Sequence, residues 1–387
     1  MGKNKEKTSA ETVIQDVLGI KKKENVLIIA NPETNLIAQE LYTAVREADG
    51  NPSLIFQPAK MIFDNAELPV IGAIKSEPDI VLSISSNKLG KDSEGIKNPY
   101  KTEDGRSYDH IFDYLLDGKK SIRACWTPGL TEDMFRRTVN IDYKLLRERC
   151  EAICKKYENA VSVHVTSPGG TDVVVPVKGR KGLVDNGDFT QPGSGGNVPA
   201  GEVFISPVVG KGNQGLLHKK ARADSEADIN ERGTNGTIVF DGSMTFSDGD
   251  ALLKTPITVQ VTDGFVSDIS GGEEAARLRK DILWAEKESL AMELSRKLPK
   301  GQGSVYARNA RNIGELGIGL NPSANVTGNM LEDEKAFRTC HFAIGENYDG
   351  DASALIHFDG IVREPTLVIK YADGSEFTLL DKGDLQL

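Results

Sequence analysis

Cysteine is scarce in this chain of 387 residues, with four thiols at positions 125, 150, 154 and 340. Cys150 and Cys154 would share one face of a helix, but no Cys-x-x-Cys and no second pair accompanies them, which argues against a zinc knuckle or a redox dithiol. The four are expected to be small buried hydrophobes, kept reduced in a cytosolic setting. Long apolar runs are missing as well. No stretch approaches the roughly 18 apolar residues of a membrane span, and Met1 to Lys7 is polar and lysine-rich with no apolar segment behind it. No membrane association is expected, and a cytoplasmic location is. Basic residues are not in excess either: 47 Lys and Arg stand against 57 Asp and Glu, a net charge of -10. Without an overall positive field to release counterions from phosphates, nucleic acid is not expected as a partner.

Several catalytic signatures are also absent. The glycines of 193–201 lack the Gly-Lys-Ser/Thr ending of a phosphate loop, and Asn31-Pro-Glu-Thr-Asn35 lacks the glycines of a dinucleotide fingerprint. No Gly-x-Ser-x-Gly elbow supports serine hydrolysis.

What the chain does contain is two kinds of pattern in succession. From about residue 9 to 157, apolar runs at Asn25–Ala30, Pro52–Phe56, Ile80–Ile84 and Ser121–Cys125 alternate with helical spacing at Ala10–Leu18, Leu36–Ala48, Thr131–Arg137 and Asp142–Tyr157. Alternation of this kind predicts an α/β domain with a mostly parallel sheet. From 160 to 270 the chain is rich in Val, Thr, Gly and Asp, which predicts strands at Val161–Thr166, Asp172–Val177, Gly236–Phe240 and Pro256–Val261. One long helix, roughly Glu273–Lys297, follows, with closing strands near Thr366–Tyr371 and Glu376–Leu380. The expected organisation is an α/β domain over 1–157 and an α+β metal-binding domain over 158–387. The polar segment 211–234 is expected to be an exposed loop or insertion.

The chemistry concentrates near the end of the chain. Two of only five histidines lie in Cys340-His-Phe-Ala-Ile-Gly-Glu-Asn-Tyr348 and Leu355-Ile-His-Phe-Asp-Gly360. On a strand, Leu355, His357 and Asp359 would share one face, presenting an imidazole beside a carboxylate. Alone, that pair is equally an Asp orienting a His, or a solvated surface. Glu202 follows a glycine-rich stretch and opens an apolar run, and Glu315 sits among glycines and apolar residues in Asn312-Ile-Gly-Glu-Leu-Gly-Ile-Gly319. A charge in such company is costly unless paired or bound to metal. The set Glu202, Glu315, His341, His357 and Asp359, with Tyr348 nearby, suits one or two divalent ions of the zinc, cobalt or manganese kind. Two such ions would polarise a carbonyl and lower the pKa of a bound water, which is machinery for hydrolysis. By contrast, His164 reads as a strand residue and His110 as a surface or packing residue.

The phrases Gly-Glu-Val-Phe at 201–204, Ile-Gly-Glu-Leu-Gly at 313–317, His-Phe-Ala-Ile-Gly-Glu-Asn-Tyr at 341–348 and Leu-Ile-His-Phe-Asp at 355–359 resemble the aminopeptidase T family of leucyl aminopeptidases. The resemblance implies a two-metal aminopeptidase that removes N-terminal residues from short peptides. It further implies Glu202, Glu315, His341, His357 and Asp359 as ligands, Tyr348 as a catalytic hydrogen-bond donor, and a homodimer. On chemical grounds Glu202 or Glu315 is expected to bridge the ions, and a carboxylate not fully committed to metal to act as general base. The chain departs from the family in a longer Glu202–Glu315 interval and a shorter His341–His357 interval. The competing class is ring-cleaving oxygenation. Iron-dependent dihydroxypyridine dioxygenases resemble the same fold, and His341, His357 and Asp359 would suffice for one non-haem iron. The presence of Glu202 and Glu315 favours the hydrolase.

Overall fold

The computed structural model describes residues 7–61, 64–210 and 233–387. All but the last two residues of the expected 211–234 loop therefore lie outside the described residues.

The first apolar runs build a parallel sheet, because each is followed by a helix that returns the chain to the same edge direction. Ile80–Ile84 lies at its centre, and Asn25–Ala30 beside it pairs in parallel both with it and with the edge strand Asn51–Phe56. Arg123–Trp126 follows, and Gly195–Asn197 forms the far edge. Ile80–Ile84 is buried at every position, as a parallel strand covered on both faces must be. Helix Asn35–Glu47 turns Ile37, Ala38, Leu41, Ala44 and Val45 inward at helical spacing. Leu27, Ile29, Val81 and Ala124 from the sheet pack with Val70, Ile71, Ile74 and Leu115 from the covering segments.

The rest of the chain is mostly antiparallel. An eight-stranded sheet takes in Ala160–Thr166, Asp172–Pro176, Asn235–Phe240 and Ile257–Thr262, together with Thr366–Tyr371 and Glu376–Asp381. A seven-stranded sheet runs in the order Gly249–Leu252, Ser243–Phe246, His357–Arg363, Thr339–Gly345, Ile313–Gly319, Glu202–Ile205 and Leu183–Asp185. The long helix covers Glu273–Leu294.

Two compact units result, a parallel-sheet α/β unit and a mostly antiparallel one. The first comprises 1–147, 185–201 and 321–324, and the second 148–184, 202–320 and 325–387. The chain thus passes between units five times, where the sequence pattern alone suggests one boundary at 157/158. Composition reports a change of strand chemistry along the chain. Which sheet a short strand such as Gly195–Asn197 joins depends on its pairing, with Arg123–Trp126 in this case.

Candidate metal centre

The register of four antiparallel strands in the second unit determines which side chains meet. Glu202 pairs opposite Gly319, Gly317 opposite His341, Glu315 opposite Ala343, Ala343 opposite Asp359, and Gly345 opposite His357. Residues directly opposite in an antiparallel pair project to the same side, and so do residues two apart on one strand. Glu202, Glu315, His341, His357 and Asp359 therefore all project from one face. The intervening positions, Val203, Ile205, Leu316, Ile318, Phe342, Ile344, Phe358 and Val362, project from the other and are buried.

Small residues make room on the charged face. A Cβ at Gly317 would lie 2.0 Å from the His341 Nε2 atom, so only glycine lets the imidazole lie across that strand. The glycine spacing of the Glu315 segment thus follows from the site: the alternate positions carry the core residues Leu316 and Ile318.

The cluster is buried, and its members are close. His341 Nε2 lies 2.9 Å from Glu315 Oε1 and 3.6 Å from Glu202 Oε2. His357 Nε2 lies 3.5 Å from Glu315 Oε2 and 3.4 Å from Asp359 Oδ1. Glu315 therefore turns one carboxylate oxygen toward each histidine. The Nδ1–H of His357 donates to the Glu346 carbonyl at 2.9 Å, which turns Nε2 toward the carboxylates. Lys335, with no exposed surface, donates to Glu202 Oε1 at 2.9 Å and also pairs with Glu334.

Among the described residues, three groupings have ligand atoms mutually close enough to hold an ion: Glu202, Glu315 and His341; Glu315, His357 and Asp359; and Glu334, His341 and Asp359. Glu202 Oε2 and Asp359 Oδ1 are buried acceptors that make no hydrogen bond. Such atoms carry a desolvation cost that a cation would offset, so the donor set fits one or more divalent ions. Oxygen and imidazole donors together suit metals of the zinc, cobalt, manganese or iron kind.

The electrostatics point the same way. Burial opposes ionisation of Glu315, yet His341 and His357 more than offset it and hold the carboxyl at about 2. Burial also opposes a charged His341, and Glu315, Glu202 and Asp359 carry its imidazole up to about 9. His357 is driven up against burial in the same way by Asp359 and Glu315. Burial raises the Glu334 carboxyl to about 8, with Lys335 countering and Glu202 and Asp359 adding to the rise. The common cause is crowded negative charge that stabilises any cation placed within it. Burial and the carboxylates of Glu315, Asp359, Glu334 and Glu202 push the Tyr348 phenol well above its usual range.

All five expected ligands converge, and Tyr348 stands beside them, its ring centroid 5.1 Å from both His357 and Phe204. The loop that carries Tyr348 is pinned by Asn347, which donates to Asp351 and accepts from the Ala352 N–H. One expectation shifts: the strand starts at His357, so Leu355 lies outside it, although His357 and Asp359 do share a face. His164 is a strand residue bonded to Asp172, and His110 caps a short helical turn at Phe112. Sequence reasoning missed Glu334 and Lys335. They sit in Glu332-Asp-Glu-Lys335, a charge run that looks like solvated surface, and the one available signal was its position just before the His341 strand.

No known sequence family and no curated protein matches the chain by sequence. Among the solved structures that resemble it, two do so over nearly their full lengths. The 2,5-dihydroxypyridine dioxygenase of Pseudomonas putida KT2440 superposes with a TM-score of 0.64 at 17% identity, covering 98% of this chain and 96% of its own. AmpT, an aminopeptidase T, from Thermus thermophilus superposes with a TM-score of 0.62 at 16% identity, covering 98% of each chain. At such identities the likeness establishes a shared fold, and one fold here carries two chemistries.

Proposed function

We propose that the protein is a metal-dependent aminopeptidase that uses two divalent ions to remove N-terminal residues from short peptides. The observation that supports this most is Glu315, whose two oxygens turn to different histidines, His341 at 2.9 Å and His357 at 3.5 Å. A carboxylate shared in this way suits a bridge, with Glu202 and His341 completing one position and His357 and Asp359 the other. Neither grouping contains both histidines, whereas a mononuclear iron triad requires His341, His357 and Asp359 on one ion. Zinc, cobalt or manganese fits this donor set.

When bound, such ions polarise a carbonyl and acidify a water. The chain's own residues supply the remainder. The Glu346 carbonyl fixes the His357 tautomer, Lys335 orients Glu202, and the neutral Tyr348 phenol keeps its proton and can donate to a developing oxyanion. A carboxylate oxygen of Glu202 or Glu315 not committed to an ion would accept the proton of the attacking water. A homodimer belongs to the same reading.

Elemental analysis of protein purified without chelators or a metal-affinity tag, followed by a screen of aminoacyl substrates, tests it. The expected result is about two zinc, cobalt or manganese ions per chain and release of an N-terminal residue. About one iron per chain with ring cleavage of a dihydroxypyridine would overturn it in favour of the oxygenase.

A further inference from the structure

The two halves of the cluster differ in one respect: the Glu202 half contains a buried ammonium. Lys335 has no exposed surface, bonds Glu202 Oε1 at 2.9 Å, and pairs with Glu334. Glu202 Oε2, the oxygen left to a metal, is 3.6 Å from His341 Nε2. Across the cluster, Glu315 and Asp359 meet the His357 imidazole, whose Nδ1–H is committed to the Glu346 carbonyl and whose Nε2 faces the two carboxylates, with no lysine among the partners described there. Lys335, with three donors and no acceptor, offers an ion no ligand atom.

We infer that the two cation positions are unequal: Glu315, His357 and Asp359 hold an ion tightly, while Glu202, Glu315 and His341 hold one weakly and exchangeably, because the Lys335 ammonium already engages Glu202 Oε1. The inference rests on the two-ion reading above. Lys335 acts as a positioning residue with two opposed effects. Orienting Glu202 favours binding, and losing an orienting partner costs about 10- to 100-fold in affinity. Its charge disfavours binding, and the repulsion of a dication within a few ångströms outweighs that benefit even at an effective dielectric of about 20. Removing the charge while keeping the volume therefore tightens the weak position.

The test is a stepwise zinc titration of metal-stripped protein against a competing chelator, for the natural chain and for Lys335→Met. The expected result is a tight and a weak step in the natural chain, with the weak one strengthened on the order of tenfold or more in the variant and the tight one little changed. A single step in the natural chain that becomes two in the variant supports the inference equally. A gain in affinity is a result that structural damage does not produce. Two equal steps in the natural chain, or a weak step unmoved or weakened by Lys335→Met, overturn this inference and leave the two-ion reading intact. One step or none in both proteins overturns both. Should Lys335→Met fail to fold, Glu202→Gln is expected to delete only the weak step and Asp359→Asn the tight one; the reverse assignment overturns the inference.

Discussion

The two faces of the Glu315 sheet are made by the same strands and differ in every other way. Leu316, Ile318, Phe342, Ile344 and Val362 fill one face, and each contributes roughly 1.5–3 kcal/mol by leaving water. Glu202, Glu315, His341 and Asp359 are equally buried on the other, where burial alone is unfavourable. The apolar face offsets what the charged face costs, and strand alternation lets the two coexist within a single residue step. Stability and chemistry are thus separable by position parity, and substitutions on the two faces should fail in different ways.

The largest effect is expected at the shared carboxylate. Glu315→Gln removes a ligand common to both positions, and losing several kcal/mol of transition-state stabilisation lowers kcat by at least roughly a thousandfold. Metal content by elemental analysis should fall with it, while denaturant unfolding of the metal-free protein should not show a loss of comparable size. Phe342→Ala, one residue along from His341, should do the opposite. Opening a cavity on the apolar face costs about 3–4 kcal/mol in unfolding free energy, and the refolded fraction retains its full metal complement. If Phe342→Ala instead emptied the site without lowering stability, the division between faces would be wrong.

A third expectation uses pH on metal-free protein. The Glu315 carboxyl is depressed to about 2, so its contribution is present above its unfolded value near 4.5 and is lost as pH falls toward 2. The His341 imidazole is raised to about 9, so its contribution is full below its unfolded value near 6.5 and is lost as pH rises through 9. The stability of the metal-free protein should therefore decline on both sides of a plateau between about 5 and 6. Bound zinc should flatten the alkaline limb, since an ion replaces the protons on the histidines. Thermal unfolding across pH with and without zinc checks this, and an alkaline limb unchanged by zinc would contradict it. The smallest effect is expected at exposed Tyr348. Tyr348→Phe should lower kcat by about tenfold to a hundredfold with little change in KM or metal content.

Much of this was legible in the chain. The apolar and helical alternation before residue 157 produced the parallel sheet, with element ends mostly within a few residues of those expected. Glu202 and Glu315 stood out as charges among glycine and apolar residues, His341, His357 and Asp359 as histidines and a carboxylate at strand spacing, and all five converge. The repeated exchange of chain between units was not legible. Gly195–Asn197 is a three-residue strand, too short to carry a pattern, and only its pairing with Arg123–Trp126 reveals where it belongs. Lys335 was hidden for a related reason: a lysine in an acidic run looks solvated until the surrounding strands close over it.

By itself the sequence determined what alternates: which residues share a strand face, where helices replace strands, and that imidazoles and carboxylates lie at strand spacing. These are local properties of backbone geometry, with periods of two or 3.6 residues. Tertiary structure alone decided that Glu202 and Glu315 stand across from His341, that Glu315 divides its oxygens between two histidines, and that Lys335 lies buried against Glu202. Register is a long-range property, and a slip of one residue between strands would turn the same carboxylates to the opposite face.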